Sequence, residues 1–273
     1  MLVNFLRKSF GYKFPKLGKY AFNLFFKIAP SNIRCELFPG IRMRLNFNDL
    51  TQQATFWQGD RFEYPTAFVL RDLRDITAFF DIGANYGFYC YYMLSNHSDI
   101  QVYAFEPNHS TYILITDIKE ENNLSKLHHF NIGIGSQAGE FNLHSDLSDS
   151  GHSTFLPNPE LIGQSVEKAK VKTFQQWLTD QKIALPKHPE WVAKIDVEGM
   201  EYNVLMGMQK ALEDRVFKGI IIEVLEHTLA FAGHSKEDIF YFMQTVGYKP
   251  IPTPLLIQKY GCMKTANVFF VPV

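Results

Sequence analysis

The stretch FDIGANYGFY, residues 80–89, decides the fold. A short apolar run closes on an acid, Asp81, and a turn punctuated by Gly83 and Gly87 leads into an apolar, aromatic helical segment. This is the pattern of a nucleotide-cofactor loop, in which glycines let the backbone approach a ligand and the helix start presents free N–H groups. The acid selects the ligand. Asp81 would repel a dinucleotide's pyrophosphate and attract a molecule carrying an ammonium and a sulfonium, which describes S-adenosylmethionine (SAM). Alone, such a turn also fits an ordinary tight connection.

The next segments extend the pattern. QVYAFEP, residues 101–107, is a buried-strand run closing on Glu106, near the roughly 20-residue offset at which a ribose-binding acid follows a glycine loop. The two oxygens of Glu106 suit both ribose hydroxyls, the other reading being a solvated acid at a strand end. KIDVEGME, residues 194–201, reads as a strand to Asp196, after which Gly199 precedes an amphipathic helix with Val204, Leu205, Met208 and Leu212 on one face. GIIIEVLEH, residues 219–227, is a further buried strand, ending in Glu223.

Around these runs the sequence predicts a helix over 65–75, a first core strand over 77–82, helices to residue 96 and over 111–121, and a third strand over 128–134. The alternation calls for an α/β fold with a mostly parallel sheet covered on both faces by helices. Right-handed crossovers then gather the loops at one edge, so Asp81, Glu106, Asp196 and Glu223 are expected to converge on one cleft.

Taken in order, DIGANYGFY, AFEPN, KIDVEG and IIIEV resemble the FkbM family of SAM-dependent methyltransferases, over about residues 52–273. The turn carries Asn85 where many methyltransferases have glycine, a habit of that family. The resemblance implies a Rossmann-like class I methyltransferase fold with a seven-stranded sheet, SAM as cofactor, and O-methylation of a hydroxyl on a sugar, glycolipid or secondary metabolite. It also assigns roles. Asp81 and Gly83 would hold the methionine end with Asn85 at its carboxylate and ammonium, Gly87 would let the backbone approach the cofactor, Glu106 would hold the ribose, and Asn131 to Gly133 would border the adenine. Asn131 fits equally as a residue satisfying backbone groups. Asp196 and Glu198 would lie beside the transferred methyl group, orienting the acceptor or taking its proton, and the alternative for both is a bond to Lys194 or a helix cap. Glu63, in GDRFEYP, would contact the cofactor's ammonium or cap a helix.

Two histidines are candidate bases near neutral pH: His152 in the SGHST loop, similar to the family's serine-rich substrate loop, and His227 one turn beyond Glu223. Both fit surface positions as well. Asp196 and Glu223 are hard oxygen donors that Mg²⁺ could share, but two carboxylates without a third protein ligand are an incomplete set and no metal is assigned.

Charge is uneven along the 273 residues. Residues 1–35 carry seven of the 27 basic residues and no acid, so the remaining 20 face all 28 acids: +7 against −8. Phenylalanines and tyrosines interleave the bases. The chain therefore divides into a basic, aromatic extension with a short hairpin, 1–50, and a methyltransferase domain, 51–273. A helix over 17–28 either packs its aromatics on the domain or lies on an anionic membrane surface. The hairpin over 33–50, with Arg42 and Arg44 facing out, reads as a lid or docking element.

No run is long and apolar enough to span a bilayer, and the first residues lack a signal-peptide pattern. Cys35, Cys90 and Cys262 show neither pairing nor metal-ligand spacing, which fits a cytoplasmic protein, peripheral on the inner membrane surface if the arm binds lipid. The expected partner is a small-molecule or glycan acceptor and not nucleic acid. The alternatives are a non-catalytic SAM-fold protein docked through its arm, or a nicotinamide-dependent oxidoreductase, which Asp81 and the absence of GxGxxG spacing disfavour.

Overall fold

A computed structural model describes residues 31–64, 66–157, 164–252, 256, 259 and 266–273. The basic arm to residue 30, with the helix expected over 17–28, lies outside the described residues, as does Cys262. In chain order the elements are strands β1 (Asn32–Phe38) and β2 (Ile41–Asn46), helices α1 (Leu50–Gln58) and α2 (Thr66–Asp72), β3 (Ala78–Ile82), α3 (Phe88–Asn96), β4 (Gln101–Phe105), α4 (His109–Glu121) and β5 (Leu127–Phe130). There follow β6 (Gly133–Ile134), β7 (Gly139–Ser145), β8 (Ser153–Thr154), β9 (Ser165–Lys172), α5 (Phe174–Gln181), β10 (Trp191–Ile195), α6 (Glu201–Glu213), β11 (Phe217–Glu223), α7 (Glu226–Phe231), α8 (Lys236–Thr245), β12 (Tyr248–Pro250) and β13 (Asn267–Pro272).

Seven of these strands form one sheet in the order β12-β13-β11-β10-β3-β4-β5, parallel except for β13. This is the Rossmann-like arrangement that the resemblance implies, and strand order reverses between β3 and β10, where ligands bind in open α/β sheets. Period-two alternation gives the sheet two apolar faces. Phe79, Val102, Ala104 and Val192 pack with residues of α2, α3 and α4. Phe80, Ile82, Phe105, Ala193 and Ile195 pack on the other side with residues of α5, α6 and α8. Each fully buried Phe, Val or Ile among them contributes about 1.5–3 kcal/mol.

The hairpin β1–β2 belongs to the first core. Its inward row, Ile33, Cys35, Leu37, Ile41, Met43 and Leu45, is buried in the cluster that holds α3, while Arg42 and Arg44 face outward as expected. Asn122, at the end of α4, accepts from Arg42 N and donates to Arg42 O, both at 2.7 Å, so the hairpin is pinned to the domain and is no free lid.

Two expected elements are shorter than the sequence suggests. The helix over 65–75 is α2, which ends at Asp72, with Asp75 at φ +53° closing the turn into β3. The third strand stops at Phe130. Asn131 there donates to the carbonyls of Glu106 and Pro107, and Gly133–Ile134 turns away to pair with β9 in a second sheet, β6-β9-β7-β8. That sheet is inserted between β5 and β10, and it carries the loop between β7 and β8. Thr173 and Gln176 form a capping box at α5, and Ser235 with Asp238 forms another at α8, as their spacing predicts. Among the described residues no helix is long and apolar enough to cross a membrane.

Candidate active site

Parity decides where the first acid goes. Asp81 lies inside β3 on the face of Phe79, so its carboxylate points beneath α3, 1% exposed, and accepts from Cys90 Sγ at 3.1 Å. It lines neither cavity at the sheet edge. The four acids expected in one cleft are therefore divided. Burial raises the Asp81 carboxyl to about 6, against the lowering effect of Lys194, and it also pushes the Cys90 thiol up. Cys90 is a packing residue.

Beyond Ile82 the backbone itself forms the floor of the site. A Cβ on Gly83, at φ +82°, would lie 1.8 Å from the Asp196 carbonyl oxygen, so only glycine lets the loop pass β10. Asn85 adopts φ +49°, a left-handed conformation that asparagine tolerates, which explains how it replaces the usual glycine. Gly87, at φ +87°, is the N-cap of α3.

Glu106 sits just past β4, 5% exposed, with Oε2 accepting from Asn85 N and Oε1 from Asn108 N, both at 2.7 Å. The Thr111 side chain is a third hydrogen-bond partner of this carboxylate. Burial, partly offset by these amides, raises its carboxyl to about 7. Glu106 lines a cavity of about 170 Å³ together with Ile82, Gly83, Asn85, Gly133 to Gln137, Phe155, Asp196 and Glu198. Two polar atoms around it, Asn85 Oδ1 and Ser150 Oγ, are buried without a partner, as expected of groups that meet a ligand. Asn131 does not line it, and its amide is engaged by the backbone.

A second cavity opens beside the first and shares Gly83, Asn85, Gly151, Asp196 and Glu198 with it. Thr51, Glu63, Tyr86, Tyr89, His152, Lys194 and Glu223 complete its polar lining. Glu63 caps no helix through its side chain. Its Oε2 accepts from Tyr89 OH at 2.9 Å, and burial raises its carboxyl. Lys194 is 2% exposed, places Nζ 2.5 Å from Asp196 Oδ2 and lies over the Tyr89 ring at 4.7 Å. Burial favours its neutral form, but Asp196, Glu63, Asp81 and Glu223 together outweigh that and hold the ammonium charged.

Asp196, Glu198 and Glu223 bring carboxylate oxygens within 4.8 Å of one another. Glu198 thus supplies the third hard ligand that the sequence reading lacked. Burial first and repulsion by Asp196 second push the Glu198 and Glu223 carboxyls up, which favours their protonated forms. His152 stands at the rim, its side chain 55% exposed and Nδ1 3.7 Å from Asp149 Oδ2. His227 is exposed on α7 and lines neither cavity.

Sequence reasoning passed over Lys194 as more than a tether for Asp196, and it passed over Glu201. Glu201 Oε1 accepts from Val197 N at 3.1 Å and Gly199 N at 3.2 Å, bracing the turn in which Glu198 is held at φ +51°. An acid in the first turn of α6 was the available signal.

A family model described as the methyltransferase FkbM domain matches residues 81–250. No curated protein sequence matches the chain. Among solved structures, the chain is similar to the M. jannaschii TYW2 protein in complex with AdoMet, with 9% identity, 90% of this chain and 88% of that one covered and a TM-score of 0.43. It is also similar to a SAM-dependent methyltransferase from Aquifex aeolicus, with 11% identity, 82% and 98% covered and a TM-score of 0.43. A third is the precorrin-6y C5,15-methyltransferase from Geobacter metallireducens, with 13% identity, 68% and 70% covered and a TM-score of 0.38.

Proposed function

The chain belongs to the FkbM family of SAM-dependent methyltransferases, and on that premise we propose that it transfers the SAM methyl group to a hydroxyl of a sugar, glycolipid or secondary metabolite. The observation that carries this reading is the junction of the two cavities at Gly83, Asn85, Asp196 and Glu198. A donor seated in the first cavity meets, at that junction, the carboxylates that line the second.

In the first cavity Glu106 takes the ribose hydroxyls, the backbone from Gly83 to Asn85 takes the methionine end, and the Gly133 segment with Phe155 borders the adenine. Asp81, beneath the floor, and Glu63, across the second cavity, favour the sulfonium and ammonium at short range. The acceptor oxygen attacks the methyl carbon in line. The carbon–sulfur bond breaks with its electron pair passing to sulfur, and S-adenosylhomocysteine (SAH) leaves as a neutral thioether. The acceptor's proton goes to the Asp196 carboxylate, which Lys194 holds in place on one oxygen. Protonated Glu198 and Glu223 donate to the acceptor, and His152 meets it at the rim. Most of the acceleration comes from holding oxygen, carbon and sulfur in line.

Incubation with SAM and fractionated extract of source cells, read by mass spectrometry, tests this. The expected result is an acceptor that gains the mass of one methylene as an ether methyl, with SAH in equal amount. Methyl on nitrogen would overturn the choice of oxygen, and SAH-free incubations with every fraction would favour the non-catalytic alternative.

A further inference from the structure

The residues just before α1 lie outside the span of the family domain, yet they hold the wall between the two cavities. Asp49 is 6% exposed and uses both carboxylate oxygens. Oδ1 caps α1 by accepting from Gln52 N at 2.8 Å, and Oδ2 accepts from Ser150 N at 2.9 Å, 101 residues away. Two neighbours repeat the connection. Leu50 N donates to Ser148 O at 3.2 Å, and Thr51 Oγ1 donates to Asp149 Oδ1 at 2.5 Å. One turn further on, Thr55 Oγ1 bonds Tyr86 OH in the cofactor loop.

The loop held in this way borders both cavities: Ser150 and Gly151 line the first, and Gly151 and His152 the second. Ser150 Oγ is one of the buried polar atoms with no protein partner. A buried hydroxyl without a partner loses free energy that a bound ligand can restore.

We propose that Asp49 is a positioning residue of the methyltransferase site, fixing the Ser150 amide so that the Ser150 hydroxyl contacts SAM in the first cavity. This rests on the reading of that cavity as the cofactor site. The functional unit then begins at least at Asp49, more than thirty residues before the family domain. Among the cap residues, aspartate fits the double role because it has a second oxygen for the loop.

The test separates cap from clasp. Asp49→Ser keeps a side-chain oxygen to cap α1 but has none for Ser150, and Ser150→Ala removes the hydroxyl alone. Wild type, both variants and the double variant are titrated with SAH by calorimetry, with thermal melts of each and hydrogen exchange over residues 146–152. Expected are melts near wild type, faster exchange in the loop of Asp49→Ser only, and SAH affinity lower by about threefold to tenfold in either single variant. The double variant is expected to show no further loss, because both changes remove one contact.

Wild-type affinity in a folded Asp49→Ser protein, or additive losses in the double variant, would overturn the proposal. If Asp49→Ser fails to fold, Ser150→Ala alone decides, and unchanged SAH affinity there rejects the contact. Absence of SAH binding by wild type would instead count against the cofactor reading on which the proposal rests.

Discussion

Lys194 Nζ and Asp196 Oδ2 are 2.5 Å apart at the end of β10, with the lysine 2% exposed and the aspartate bordering both cavities. A buried ammonium here is the counter-charge of an acidic site. It faces Asp196, Glu63 and Asp81, and its removal leaves those acids, where ionised, without compensation in a poorly solvated place.

Lys194→Met is therefore expected to destabilise the protein by on the order of 3–5 kcal/mol. The loss is larger at pH 8 than at pH 5, because more of the facing acids are ionised. Urea unfolding at the two pH values reads it, and an unchanged midpoint at both would contradict the role assigned to the ammonium.

Glu223 and Glu198 give a pH dependence of the opposite kind to a surface ion pair. Their carboxyls are raised in the folded protein to about 9, so the folded state holds protons that the unfolded chain releases. Stability is then full below the ordinary carboxyl pKa of about 4.3 and falls as pH rises from there toward 9. Glu223→Gln is expected to raise stability at pH 8 by on the order of 1–3 kcal/mol while leaving pH 4 nearly unchanged. Turnover should fall in the same variant. Denaturation curves of wild type and variant across this range check the sign, and a stabilisation that grows toward low pH would refute it.

Asp196 should separate binding from chemistry. Asp196→Asn keeps the shape of the side chain and removes its capacity to take a proton. Affinity for SAM is expected to stay within a few-fold while turnover drops by roughly 10²–10⁴. Steady-state kinetics with the acceptor, beside SAM titrations, measure both. Turnover at the wild-type rate would make the residue structural.

Much of this arrangement was legible in the sequence, for identifiable reasons. The glycine loop, the strand closing on Glu106 and the α6 face of Val204, Leu205, Met208 and Leu212 follow from local spacing. What local spacing does not carry is the direction of a side chain at a strand end. Asp81 looked like a cleft residue, but one step of β alternation turned it under α3 toward Cys90. Glu198 gained its place beside Glu223 from a left-handed turn that Glu201 braces, and that bond depends on how α6 begins. The link from Asp49 to Ser150 spans 101 positions and has no local signature.

The first cavity is proposed to hold the adenosyl cofactor on Glu106, and calorimetric titration of SAH into wild type and Glu106→Ala reads that occupancy. One SAH per chain is expected, with no binding of NAD. The folded variant should bind more weakly by about 1.5–3 kcal/mol for each charge-assisted bond lost. NAD binding in place of SAH, no SAH binding by wild type, or equal SAH affinity in the folded variant would rule out a Glu106-held adenosyl cofactor in this cavity.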